Sequence, residues 1–185
     1  MPMRTLKKVK IPSYLEKIAE LIKKSVDLIE IKFSQVPGLN APYQQGVFSI
    51  QVSQTEEEKK VAPVWDIGEI ARFSLIQLPG CCGVVVSTGA SVSEKYRKLG
   101  IGKLLCEMRS HIAFRWNYSL MHCTDVTTNK PQQAILKDLG WKKNLEFVNC
   151  RTKNTVALHT ISPKQTKNYQ LGFELADDGA GDKQS

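Results

Sequence analysis

The densest chemistry in this sequence lies at residues 92–105, where Arg97, Lys98 and Lys103 surround Gly100 and Gly102. Glycine has no Cβ, so the backbone at these two positions can take positive φ and come close to a ligand. An amphipathic pattern, Leu104, Leu105, Met108 and Ile112, leads out of the stretch and predicts a helix whose first N–H groups have no partner. Free N–H groups at a helix start, with fixed positive charge beside them, make an anion site suited to phosphate or pyrophosphate.

Residues able to move protons follow in a second stretch, His122, Cys123 and Asp125. Strand alternation puts Cys123 and Asp125 on one face, opposite His122 and Thr124. Asp125, near the strand's end and close to Asn129, is the leading acid/base candidate or the residue that holds a cationic amine, while an aspartate that only caps a turn is an equal alternative. His122 titrates near neutral pH, although a histidine in such a run commonly belongs to the core. Tyr96 and Tyr118 can donate a proton, and Tyr96 can equally pack as a lid over the glycine turn. Asp66 and Glu69 are further acids, and His111 and His159 have no evident partner in the sequence.

These residues need elements to position them. Arg4, Lys7, Lys8 and Lys10 make residues 1–12 a basic leader ending at Pro12. Ser13 with Glu16 reads as a capping box, and the spacing of Leu15, Ile18, Leu21, Ile22, Val26 and Ile29 predicts a helix over 13–30. Pro37, Gly38, Asn40 and Pro42 mark a loop over 34–46, followed by a strand at 47–52 and a hairpin tip at 53–60. Strands are expected at 64–78, with an interruption near 66–68, and at 81–92, then the helix 101–115 and a strand at 118–126. Asn129 and Pro131 open a short helix, 132–139, that Gly140 closes. Two strands, 141–150 and 155–161, end the ordered pattern, and residues from about 172 onward read as disordered. The expectation is an α+β fold with a mixed, mostly antiparallel central sheet flanked by helices, in which a crossover helix joins the strands before and after the glycine turn.

Composition bounds the rest. A chain of 185 residues, 42% hydrophobic and 24% charged, suits one domain, placed at 13–163, with a C-terminal extension at 164–185. The formal net charge is +8, and the acidic residues near the end leave the body more basic still, which implies an anionic partner. Five cysteines with no zinc spacing, no signal segment and no long apolar run predict a reduced, cytoplasmic protein with no metal and no membrane contact.

Arg97-Lys98-Leu99-Gly100-Ile101-Gly102 matches the (Arg/Gln)-x-x-Gly-x-(Gly/Ala) signature, and the chain here resembles the GNAT N-acetyltransferase superfamily. Val92 and Tyr96 stand where that family often has the Val and the aromatic residue of its lead-in. Asn129, eleven residues before Gly140-Trp141, resembles the family's Asn-to-Gly-Phe segment. The resemblance covers roughly residues 45–161 and implies acyl-CoA binding, with acetyl-CoA as cosubstrate. It assigns the CoA pyrophosphate to the backbone of Arg97, Lys98, Leu99, Gly100, Ile101 and Gly102, with charge from Arg97, Lys98 and Lys103. It assigns the pantetheine arm to the strand end Ala90–Val92, and Asn129 to the cofactor side of the site. It assigns no catalytic residue here, and the candidates from the residues themselves are Asp125, His122 and Tyr96.

Two departures stand out. Leu136 occupies the position where many members carry a tyrosine that protonates the leaving thiolate, and the strand before the motif contains no acid. The readings are therefore an N-acyltransferase acting on an unknown amine, a phage-type enzyme modifying a nucleic-acid base, and a non-catalytic CoA-binding module. The sequence says nothing about oligomeric state.

Overall fold

Residues 4–9, 12–33, 45–53, 68–78 and 80–163 are described by the computed structural model. Their strands form one sheet of eight: β1 (Arg4–Val9), β2 (Val26–Phe33), β3 (Gln45–Val52), β4 (Glu69–Gln77), β5 (Val84–Val92), β6 (Leu120–Val126), β7 (Lys142–Val148) and β8 (Thr155–Ile161). The spatial order is β1-β2-β3-β4-β5-β6-β8-β7, and every neighbouring pair is antiparallel except β5 and β6. That parallel pair requires a crossover, which helix α2 (Ile101–Arg115) supplies. Helix α1 (Pro12–Ile22) precedes β2, and α3 (Lys130–Asp138) joins β6 to β7. The α+β expectation and the crossover both hold.

The early part of the chain differs from its sequence reading. Residues 4–9, read as a leader, form β1 and pair with β2 from Arg4↔Phe33 to Val9↔Leu28. The helix expected over 13–30 ends at Ile22. Lys23 there takes a left-handed φ of 55°, and the N–H of Lys24 donates back to the Ala19 carbonyl at 3.2 Å. The last turn is thereby closed as a glycine would close it. Val26, Leu28 and Ile29 satisfy a helical spacing, but β-branched residues also favour strands, and pairing with Ile50 and Val52 of β3 decides the matter. The capping box does not form: Ser13 lies inside the helix and its buried hydroxyl has no hydrogen-bond partner.

Later elements follow the sequence closely. The helix expected over 101–115 and the strand 155–161 keep those bounds, and β4 begins at Glu69. Asn129 caps α3 by accepting from the Gln132 N–H. Gly140, at φ 79°, ends it in a Schellman turn in which Trp141 N–H donates to the Leu136 carbonyl and Gly140 N–H to that of Lys137. The hairpin tip at 54–60, most of the loop at 34–46 and everything from residue 164, with its expected disorder, lie outside the described residues.

The core lies between the sheet and the helices. Tyr14 and Ile18 of α1, Met108 and Ile112 of α2, and Leu136 of α3 are buried against Leu28, Ile50, Phe73, Leu75 and Val85 of the sheet. Phe48 stacks on Phe73 with 4.8 Å between ring centroids, and Trp116 leans on Phe48 at 5.7 Å. Gly46 makes this cluster possible, since a Cβ there would meet the Phe48 and Trp116 rings at 2.7 Å.

Candidate functional site

The site begins where two parallel strands part. β5 and β6 pair only from Val84↔Leu120 to Val86↔His122, so from Ser87 and Cys123 onward the two strands diverge. A β-bulge helps to bend β5 away: between its pairs with Ser74 and Arg72 of β4, β5 has two residues, Gly89 and Ala90, where β4 has one. Gly89 takes a φ of 60°, the conformation such a bulge favours. The result is a V-shaped opening in the middle of the sheet, with the edge of β5 from Ser87 to Val92 unpaired on the β6 side among the described residues.

The glycine turn stands at the mouth of that opening. After β5 the chain makes a single 3₁₀ turn at Glu94–Tyr96, and Lys98 (φ 65°) and Gly100 (φ 87°) adopt left-handed conformations before α2 starts. The N–H groups of Lys98, Leu99, Gly100, Ile101 and Gly102 donate to none of the described residues, so five successive donors remain free. Gly102 is helical, so the positive φ expected at both glycines occurs only at the first. A Cβ on Gly102 would sit in ordinary contact with Ile135, 3.6 Å away. Arg97 fastens the turn to the strand by donating from Nε to the Val92 carbonyl at 3.2 Å. Arg97, Lys98, Leu99 and Lys103 are exposed, whereas Ile101 and Tyr96 are buried. Tyr96 packs beneath the turn with Lys95 Nζ 5.4 Å from its ring centre. This set of donors and charges fits a pyrophosphate.

Beneath the apex of the V lies a residue that the sequence reading passed over. Arg109 of α2 is only 2% exposed, and its Nη1 donates to the hydroxyl of Ser87 at 2.8 Å. Its Nη2 donates to Cys106 Sγ, which also accepts from Gln132 Nε2 at 3.6 Å, and its Nε has no partner. The signal was available: Arg109 falls on the apolar stripe of Leu105, Met108 and Ile112, where a charged residue is out of place. Cys123 faces the same region, and burial pushes its thiol up to about 12, which keeps it protonated.

On β6, Cys123 and Asp125 share the helix-covered face, and His122 points to the opposite one. Asp125 Oδ1 accepts from Asn129 Nδ2 at 3.1 Å, while Oδ2 is buried without a partner. Burial raises the carboxyl's proton affinity, opposed by the Asn129 hydrogen bond, the charge of His159 and the Val126 backbone. His159 arrives from β8, where it pairs across from Cys123 and sits diagonal to Asp125. Its pKa is lowered by burial, against the pull of the Asp125 charge, and its Nε2 has no hydrogen-bond partner. The sequence hint was alternation along β8, which aligns Ala157, His159 and Ile161 on one face.

The structure thus brings Ala90, Val92, Arg97 and the turn to one side of the V, and Asp125 with Asn129 to the other. Asn129's side chain is engaged in capping α3 and holding Asp125. His122 lies across the sheet from Asp125, with its pKa lowered by burial. Leu136 is fully buried in the core. No group of three His, Cys, Asp or Glu among the described residues could hold a metal ion, and no described helix is long and apolar enough to cross a membrane.

No family model matches the sequence, and no curated protein matches it. Solved structures do match. An acetyltransferase of the GNAT family from Bacillus anthracis aligns with 64% of this chain and 67% of its own, at 11% identity and a TM-score of 0.50. The ribosomal-protein-S18-alanine N-acetyltransferase from Escherichia coli aligns over 91% of this chain and all of its own, at 11% identity and a TM-score of 0.50. A putative acetyltransferase from Salmonella typhimurium, solved with its cofactor acetyl-CoA, aligns over 66% of each chain at 12% identity and a TM-score of 0.50. The fold of this chain is that of the GNAT acetyltransferases.

Proposed function

We propose, from the fold shared with the GNAT acetyltransferases, that this protein is an acyl-CoA-dependent N-acyltransferase, with acetyl-CoA the simplest donor. The observation that carries this reading is the parting of β5 and β6 after Val86 and His122, with the five free N–H groups of residues 98–102 at its mouth. Those donors, with Arg97, Lys98 and Lys103, would hold the CoA pyrophosphate. The free edge of β5 from Ser87 to Val92 would pair with the pantetheine amides and direct an N–H toward the thioester oxygen, where negative charge grows in the transition state.

The reaction is direct transfer. The amine nitrogen attacks the thioester carbonyl, the C–N bond forms, and the C–S bond breaks with its electron pair leaving on sulfur. The acceptor attacks as the neutral amine, an arriving ammonium having first given one proton to solvent. Asp125 Oδ2, buried and unpartnered, accepts the second proton that nitrogen loses as the C–N bond forms, with His159 beside it. Leu136 has no proton to give, so the thiolate takes one from solvent. Most of the catalysis then comes from positioning two substrates in the opening. Five free cysteines suit a reducing, cytoplasmic setting.

The test is calorimetric titration with CoA, followed by thiol release from acetyl-CoA with a panel of amines and a DNA oligonucleotide as acceptors. Micromolar CoA binding and acceptor-dependent thiol release are expected. Tight CoA binding without turnover on any acceptor would instead identify a binding module, the role that a buried Leu136 would suit. Release only with DNA, weakened by salt, would select the nucleic-acid branch that exposed Lys142, Lys143, Arg151 and Lys153 on the β7–β8 hairpin would serve.

A further inference from the structure

Among the residues whose side chains are described, Arg109 is the only arginine or lysine that is buried. The two groups that accept its hydrogen bonds are the Ser87 hydroxyl and the Cys106 sulfur, and the nearby Cys123 thiol stays protonated. No described carboxylate pairs with it; Asp125, the acid on the same face, is held by Asn129 and makes no ion pair with it. Arginine keeps its charge inside proteins, and a buried charge with no counter-charge is strongly unfavourable. One of its N–H groups, at Nε, remains without an acceptor.

The position of this charge gives it a use. Ser87 is the first residue of β5 beyond the ladder with β6, and Cys123 is the first beyond it on β6, so the guanidinium lies under the apex of the opening. In the acyl-transfer reading, on which this step rests, the apex is where the acyl group and the attacking amine meet. A methyl group there offers nothing to a guanidinium. A carboxylate accepts its planar N–H fork and supplies the missing negative charge.

We infer that Arg109 is a specificity residue that receives a carboxylate carried by one of the two substrates. The carboxylate belongs either to the acyl chain, as in a dicarboxylic monothioester, or to the acceptor, as in an amino acid. Both sources share the same chemistry at Arg109.

Two calorimetric comparisons separate them. One titrates the wild-type protein with succinyl-CoA and with acetyl-CoA. The other, at saturating CoA, titrates phenylalanine and phenethylamine, which differ only in the carboxylate. The expected result is that the carboxylated member of one pair binds about 10- to 100-fold more tightly, as a charged hydrogen bond in a buried site allows. Arg109→Met abolishes that preference while CoA itself still binds, and Arg109→Lys restores part of it. Should Arg109→Met fail to fold, the wild-type ratios and the lysine variant decide. Equal affinity within both pairs overturns the inference, as does an Arg109→Met variant that weakens both members of a pair alike. Failure of CoA itself to bind removes the acyl-transfer reading as well, whereas CoA binding with no carboxylate preference removes this inference alone.

Discussion

Arg109 Nη1 donates to Ser87 Oγ at 2.8 Å, and this bond fixes a guanidinium of α2 to the residue at which β5 leaves β6. The contact crosses from helix to sheet at the point where the sheet opens. It therefore places a guanidinium under the opening while burying it where no described carboxylate pairs with it.

The cost of that burial is measurable. Replacing a buried ion pair by apolar side chains of similar volume is commonly neutral or stabilising by about 1–4 kcal/mol, and Arg109 lacks even the attraction of a described carboxylate partner. Arg109→Met should accordingly unfold at equal or higher urea concentration than the wild type while losing catalytic efficiency. A loss of several kcal/mol on substitution would show that Arg109 holds the fold together instead.

The two glycines of the turn should respond in opposite senses. A Cβ on Gly100 meets nothing within 4 Å, so Gly100→Ala is opposed only by its φ of 87°. The substitution should cost about 1–2 kcal/mol in chemical denaturation, the usual penalty for a Cβ on a left-handed residue. Gly102 is helical and its Cβ would touch Ile135 at an ordinary distance. Gly102→Ala should therefore stabilise the free protein by up to about 1 kcal/mol. Gly100→Ala should weaken CoA binding, because its methyl would stand in the open space before the free N–H groups, whereas Gly102→Ala, whose methyl lies toward Ile135, should leave it nearly unchanged. Unchanged affinity in Gly100→Ala would remove the turn as the anion site.

Asp125→Asn keeps an oxygen for the Asn129 hydrogen bond and removes the proton acceptor. The expected outcome is a fall in kcat of about 100-fold or more with CoA affinity preserved. In the wild type, kcat should rise as pH increases through the Asp125 pKa, which burial has moved above its ordinary value, and this limb should vanish in the variant. A full-strength variant with an unchanged pH profile would assign the proton to another group.

Stability should depend on the histidines. Burial lowers the pKa of His111, His122 and His159 below the ordinary 6.5. Below pH 6.5 the unfolded chain therefore binds protons that the folded protein does not, so the contribution is whole above 6.5 and is lost as pH falls through the folded values. Asp125 acts with the opposite sign: its raised pKa stabilises fully below its ordinary 3.8, and that effect is lost as pH rises through the folded value. Urea midpoints should be lower at pH 5.5 than at pH 7.5, and His122→Asn should narrow the difference. Equal midpoints at both pH values would contradict the burial of these rings.

Much of the site was legible from residue order. Gly100 needs no side chain to signal a left-handed turn, because a following amphipathic run shows where a helix must begin. Asn129, Pro131 and Gly140 mark both ends of α3 for similarly local reasons. The expected first helix is right as far as Ile22, but its extension to residue 30 is wrong because Val26 and Ile29 satisfy a helical spacing as well as a strand. Only the pairing of β2 with β3 separates the two, and pairing is not a local property.

Local residue order dictates the glycine turn, the crossover helix and the α+β succession of elements, since caps, glycines and apolar period act within a few residues of one another. Long-range packing settles where β5 and β6 part, that Arg109 is held under that point with no carboxylate partner among the described residues, and that His159 stands beside Asp125. Those relationships depend on strand register between segments that are distant in the chain, and register is set by packing and hydrogen bonding across the sheet.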